Sequence, residues 1–225
     1  SPGIPDKADV VKKLKSEGAE IIDEIEFAFR FAPGKMIAIT GTNGKTTTTL
    51  LTYHLLKSAG FNATLAGNVG ESLARKVADG SYDWYVVEVS SFQLDGTKTF
   101  KPHVGVLLNI TPDHLDRYEY KMENYVKSKF RVAQNMNGTN ELIYYADDQI
   151  LSKEVPARSL KTRVTGVSLN SGKVYAQNGL MHFAFDKDSF EIAQADTTLK
   201  GPHNLINTMA AVTAAYYAGV PITAI

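Results

Sequence analysis

The chain has 225 residues, 44% hydrophobic and 21% charged, the balance of an ordinary globular protein rather than of a disordered or low-complexity one. Its 24 Lys and Arg offset its 24 Asp and Glu, so no net charge points to nucleic acid or an anionic membrane as a main partner. It has no cysteine, which excludes disulfides and thiolate–zinc sites and is compatible with a reducing compartment. No apolar run reaches the roughly 18 residues needed to span a bilayer. No charged-then-apolar leader opens the chain, so a secretory precursor is not expected. The chain opens on Ser1 without a methionine and stops in "GVPITAI", where another element should begin; a piece of a longer protein is expected.

Residues 5–31 predict a short helix, a short strand near 19–22 and a helix over "DEIEFAFRF". Pro33-Gly34 is a break. "KMIAIT" then predicts a buried strand, 45–59 a helix ending at Gly60, "NATLAG" a strand and 71–78 a helix. "WYVVEVS" and "VGVLLNI" are apolar without alternation, as in strands buried on both faces of a parallel sheet. A helix over 121–135 and a strand at "ELIYYA" follow. This alternation predicts an α/β fold, a doubly wound, mostly parallel sheet. Residues 163–194 instead alternate polar and apolar, with turns at Ser171-Gly172 and Asn178-Gly179, and predict an appended antiparallel hairpin region. A last helix begins near His203, with Leu205, Met209, Val212 and Tyr216 as one apolar stripe.

Four features could carry chemistry. Gly41, Thr42, Asn43, Gly44, Lys45 and Thr46 follow a strand and open a helix. Backbone N–H groups and the helix N-terminus would face phosphates there, with Lys45 neutralising charge and the Thr46 hydroxyl on Mg²⁺. The generic P-loop glycine position is occupied by Ile39, so this is a variant P-loop; the plain alternative is a strand–helix turn with a snorkelling lysine. Glu88 ends a strand where ligands gather, and is either a Mg²⁺ ligand or a solvated acid. His114, in "NITPDHLDRY", likewise follows a strand; a ligand role competes with turn or helix capping, and Asp113 and Asp116 could cap equally well. Lys129 falls inside the apolar stripe Met122, Tyr125, Val126, Ala133 and Met136. It must either snorkel or be desolvated, with a lowered pKa, and then react with CO₂ to a carbamate, a carboxylate able to hold a second Mg²⁺.

Together "GTNGKTT", "GNVG" at 67–70, "EVSSFQLD" at 88–95, "NITPDHLDRY" at 109–118, "KSKFRV" around Lys129 and "GPHNLINTMAA" at 201–211 resemble the Mur ligase family, ATP-dependent enzymes that build the peptidoglycan stem peptide. The family loop G-T-N-G-K-[ST] accounts for Ile39. "SSFQLD" and "SPGIP" at 1–5 are similar to the branch that adds D-glutamate to UDP-N-acetylmuramoyl-L-alanine. The resemblance implies that Lys45 and Thr46 bind ATP phosphates and Mg²⁺, with Thr47 supporting them. It implies that Glu88 holds the first Mg²⁺, and His114 with carbamylated Lys129 the second. Asn68, Ser90 and Ser91 would meet the substrate, and Asn204 and Asn207 the adenine. It also implies a cytoplasmic location, a monomer, and three domains. Residues 1–32 would then end a UDP-binding domain, 33–225 would form the central ATP-binding domain, and the third domain would be missing. The chain alone is then expected to be inactive and to bind ATP weakly. A sibling ligase adding another amino acid, a folylpolyglutamate synthase and a non-catalytic nucleotide-binding module are the competing readings.

Overall fold

In the computed structural model of the chain, which describes Ile4 and residues 8–225, α1 (Asp9–Ser16) and α2 (Glu24–Phe31) lead into β1 (Lys35–Thr40). Ile37 and Ile39 of β1 enter one apolar core, and Met36 and Ala38 the opposite one. A strand that feeds two cores has no polar face, which is why this run does not alternate.

The chain continues through α3 (Lys45–Ser58), β2 (Ala63–Gly67), α4 (Leu73–Asp79), β3 (Trp84–Glu88), α5 (Ser91–Asp95) and β4 (Val104–Leu107). Then come α6 (Met122–Phe130), β5 (Glu141–Tyr145), α7 (Leu151–Ala157) and β6 (Arg163–Ser168). The strands β7 (Val174–Gln177), β8 (Leu180–Ala184) and β9 (Ser189–Ala193) precede the long α8 (Pro202–Ala218). One nine-stranded sheet results, in the order β2-β3-β1-β4-β5-β6-β7-β8-β9. β1 lies between β3 and β4, parallel to both. The chain leaves β1 toward one edge and returns to its other side, so a crevice opens at the carboxyl ends of these strands.

The doubly wound reading therefore holds, with four local corrections. Residues 19–22 form no strand; Glu20 there pairs with Arg30 and Lys98 instead. The 121–135 helix ends as an α-helix at Phe130 and tightens into a 3₁₀ turn, Arg131–Ala133. β6 is not a hairpin strand: it extends the parallel sheet beside β5 and meets β7 in parallel, so only β7, β8 and β9 are antiparallel. The turn at Asn178-Gly179 is as expected, both residues having positive φ. Finally, α8 has more than one apolar stripe. Residues 206–215 are buried without interruption, because the helix is wedged between the sheet and α3. Apart from Ile4, "SPGIP" lies outside the described residues.

α2 is bolted to this frame by one carboxylate. The Glu26 side chain is fully buried. It accepts the backbone N–H groups of Lys98, Thr99 and Phe100 at 2.9–3.0 Å, the Thr99 hydroxyl at 2.6 Å and Arg30 Nε at 2.9 Å. Burial pushes its pKa up, but the Thr99 hydroxyl and the surrounding N–H donors outweigh burial and hold it at about 2. A depressed carboxylate stabilises the fold above its unfolded value of 4.5 and loses that contribution as the pH falls toward 2. We expect Glu26→Gln to lower stability by about 1–3 kcal/mol at neutral pH. Urea unfolding from pH 7 down to pH 3 should show the gap closing. A variant as stable as the parent at pH 7 would contradict this.

Candidate active site at the carboxyl ends of the central strands

The loop after β1 has little freedom. Thr42 N–H donates to Asn109 O at 2.9 Å and Asn43 N–H to Asn109 Oδ1 at 2.8 Å, tying the loop to the segment that follows β4. The loop ends at Gly44, the N-cap of α3, at φ 83°. A Cβ there would meet the carbonyl oxygen of the Asn207 side chain, so glycine is required on both counts. Gly44 brings no capping side chain, so the first N–H groups of α3 remain open to an anion.

Lys45 does not snorkel into solvent. Its Nζ folds back on the loop, donating to Gly41 O at 3.0 Å and Thr42 O at 2.8 Å, and burial lowers its pKa. One residue on, Thr46 Oγ1 donates to Glu88 Oε2 at 2.8 Å. Thr47 follows in the same turn, half-buried. Glu88 is 2% exposed and so is not a solvated strand-end acid. Its second oxygen accepts Asn68 Nδ2 at 3.0 Å.

Lys129 is likewise buried, at 2% exposure, so the snorkelling alternative fails. Its Nζ donates to Gly41 O at 2.8 Å and to Thr40 Oγ1 at 3.3 Å, and lies 5.3 Å from the Tyr125 ring. Desolvation first, and the neighbouring Lys45 charge second, bring its pKa down to about 7. Tyr125, one turn earlier on α6, reaches Thr42 Oγ1 at 3.1 Å. Behind it, Ser128 Oγ donates to Ser91 O at 2.9 Å, and Tyr118 OH to Asp95 Oδ2 at 3.0 Å. The first bond locks α6 to α5, and the second ties the 3₁₀ turn Leu115–Tyr118 to α5.

A cavity of about 260 Å³ opens here, and it gathers six of the expected residues: Lys45, Asn68, Ser90, Ser91, His114 and Lys129. The hydroxyl of Ser90 is already engaged in the cap of α5 with Gln93. His114 takes the left-handed backbone at φ 48° and makes no side-chain cap, against the capping alternative. Its Nε2 lies 3.6 Å from Asp113 Oδ2. Asn204 and Asn207 bond to each other at 3.3 Å, and Asn207 abuts Gly44 at the other end of the loop. Four wall residues escaped the sequence reading as site residues: Phe92, Asp113, Arg117 and Tyr125. Asp113 and Arg117 stand within "NITPDHLDRY", and Tyr125 precedes Lys129 by one helical turn; both were available signals.

The donor set can be tested against a metal. Thr46 and Glu88 offer a hydroxyl and a carboxylate side by side, which suits Mg²⁺, a hard cation that keeps most of its waters. Among the described residues no three or more His, Asp and Glu form a cage. The Lys129 ammonium fits no cation; only a carbamate on it would.

Fold and site define a P-loop α/β domain. The chain belongs to the Mur ligase family: the model of the Mur ligase middle domain matches residues 39–215. It is 47% identical over 228 residues to a UDP-N-acetylmuramoylalanine--D-glutamate ligase of Cytophaga hutchinsonii, covering 99% of this chain and 51% of that protein. It is 46% identical over 214 residues to the ligase of the same name from Christiangramia forsetii, covering 94% and 48%. The chain thus spans about half the length of these relatives. Among solved structures, MurF from Acinetobacter baumannii superposes with a TM-score of 0.69 at 20% identity, over 89% of this chain and 46% of that one. At that identity the likeness is one of fold.

The buried amine has a thermodynamic consequence. A lysine depressed from 10.5 to about 7 by folding costs stability at and below neutral pH, and the cost disappears as the pH rises toward 10.5. In CO₂-free buffer, Lys129→Met should therefore gain on the order of 4 kcal/mol relative to the parent at pH 6.5 compared with pH 10. Equal differences at the two pH values, read by chemical unfolding, would contradict the burial of a depressed amine.

Proposed function

We propose that this chain is the central ATP-binding part, residues 33–225, of an ATP-dependent ligase that joins D-glutamate to UDP-N-acetylmuramoyl-L-alanine, with residues 1–32 the link from a preceding domain. One observation carries the reading: Lys45, Asn68, His114 and Lys129 line one cavity, with the Thr46–Glu88 pair at its side, at the carboxyl ends of β1, β3 and β4. The high identity to relatives of that name supports the choice of amino acid.

The residues divide the work. The loop Gly41, Thr42, Asn43 and Gly44 would shape the cradle, and the open N–H groups of the first turn of α3, with Thr47 beside them, would face the ATP phosphates. Lys45 would release the Gly41 and Thr42 carbonyls and turn to the γ-phosphate, where charge builds as it transfers to the substrate carboxylate. Asn204 and Asn207 would face the adenine across Gly44. Thr46 and Glu88 would hold one Mg²⁺; His114 and a carbamate on Lys129 would hold a second. Bound there, the two ions would spread the charge of the transferring phosphoryl group. Lys129 can supply the carbamate because a pKa near 7 leaves much of the amine neutral: nitrogen adds to CO₂, one proton leaves, and a carboxylate results. Asn68, Ser90 and Ser91 would align the substrate so that its acyl phosphate meets the D-glutamate amine rather than water. The enzyme would work as a cytoplasmic monomer, and this chain without the rest of the protein would be inactive. A non-catalytic nucleotide module has no use for a costly buried amine beside the phosphate loop.

The test is phosphate release by the full-length parent protein with ATP, Mg²⁺ and UDP-N-acetylmuramoyl-L-alanine, one amino acid per well. We expect release with D-glutamate alone, and a loss of at least about 100-fold in Lys45→Ala. Release with another amino acid would move the protein to a sibling ligase. Release with none would overturn the ligase reading.

A further inference from the structure

Toward the amino ends of the parallel strands, before β6, a second cavity of about 360 Å³ lies between the end of α6 and the segment leading from α7 into β6. Its volume is in the range of small-molecule sites. Four of its ten wall residues are cations, Lys127, Arg131, Arg158 and Lys161, and none is a carboxylate. Such a gathering is unfavourable unless something anionic offsets it. Among the described residues Glu154 takes Nε and Nη2 of Arg158 at 3.1 and 2.6 Å, and the Asp95 carboxylate acts on Arg131 without a direct ion pair. Among the described residues, Lys127 and Lys161 have no ion-pair partner. Arg131 gives Nε to Leu94 O at 2.7 Å and Nη2 to Thr97 O, both uncharged acceptors. Among the described residues, Nη1 of neither arginine has a hydrogen-bond acceptor.

The guanidinium groups are also held in place. The Arg158 guanidinium carbon stands over the Phe130 ring, 4.0 Å from its centroid, and Glu154 holds its Nε and Nη2. Arg131 is clamped to the turn after α5. Pre-positioned forks of this kind favour phosphoryl oxygens, while the two exposed lysines add charge from the rim. Leu160 and the Phe130 ring supply an apolar wall beside them.

We propose that this cavity is a binding site for a small phosphorylated molecule, a diphosphate or a pair of phosphoryl groups on an apolar or aromatic body, separate from the phosphate loop. It grips the two sides of Lys129 in sequence, Lys127 and Arg131, and through Arg131 the helix α5 that carries Ser90 and Ser91. A ligand there would stiffen the α5–α6 pair from the far side of the cavity around Lys45.

The test uses inorganic pyrophosphate as the probe. Lys45→Ala removes the phosphate-loop contact, so calorimetric titration of that variant reads any remaining site. We expect one saturable site in Lys45→Ala that weakens with added salt and is weakened about tenfold or more by the further change Lys127→Glu with Lys161→Glu. Both lysines are exposed, so the fold should be unaffected, as an unchanged melting temperature without ligand would verify. Ser159→Glu, which places a carboxylate in the cavity wall, should have the same effect. No saturable binding in Lys45→Ala, or binding indifferent to all three cavity changes, would overturn the proposal. Neither result would bear on the ligase reading, which concerns the carboxyl ends of the strands.

Discussion

Two lysine side chains converge on one carbonyl oxygen. Gly41 O, at the point where β1 turns into its loop, accepts Lys45 Nζ at 3.0 Å and Lys129 Nζ at 2.8 Å. Two like charges so close, away from water, are costly, and the cost is relieved most cheaply by neutralising one of them. Lys129, the more deeply buried, is the one whose pKa falls to about 7. The rest of the site is arranged around that meeting. β1 lies in the sheet between β3 and β4, so Glu88 and the segment bearing His114 flank the loop. The Thr42–Tyr125 contact and the Ser128–Ser91 bond then hold α6 where its lysine must enter the core.

This arrangement joins fold energetics to chemistry. An apolar residue at 129 would serve the core better, and the buried amine makes sense only if its nucleophilicity or its charge is used. The same loop that confines Lys129 leaves the N–H groups of α3 open, because Gly44 brings no capping side chain. Positive potential therefore accumulates at one spot, where a triphosphate would be drawn in and its transferring phosphoryl group stabilised.

Much of this could be read from the residues, and the exceptions have physical causes. The parallel strands were legible because burial on two faces writes an unbroken apolar run, as in "WYVVEVS". α5 escaped because five residues carry no periodicity, although Ser90 and Gln93 form a capping box that marks its start. α7 was hidden by Pro156 near its end; its first turn is held by Asp148, which accepts the N–H groups of Ile150 and Leu151. β6 was taken for a hairpin strand because alternation shows exposure of one face but not which strand lies alongside. In the site, Lys129 could be flagged by its place in the stripe, but its partners Thr40 and Gly41 lie 89 and 88 residues away, and only the fold brings them together. Phe92 was missed for the same reason: a wall of a cavity is a property of the tertiary structure.

The account stands or falls on the state of Lys129. The most direct measurement is carbon NMR of the protein equilibrated with ¹³C-bicarbonate near pH 7.5, beside Lys129→Arg as control. The account predicts one slowly exchanging protein-bound carbamate signal, absent from the variant and restored to the protein when CO₂ is removed and readmitted. No such signal, or one that survives in Lys129→Arg, would contradict it and leave Lys129 an unmodified buried amine at the end of β1.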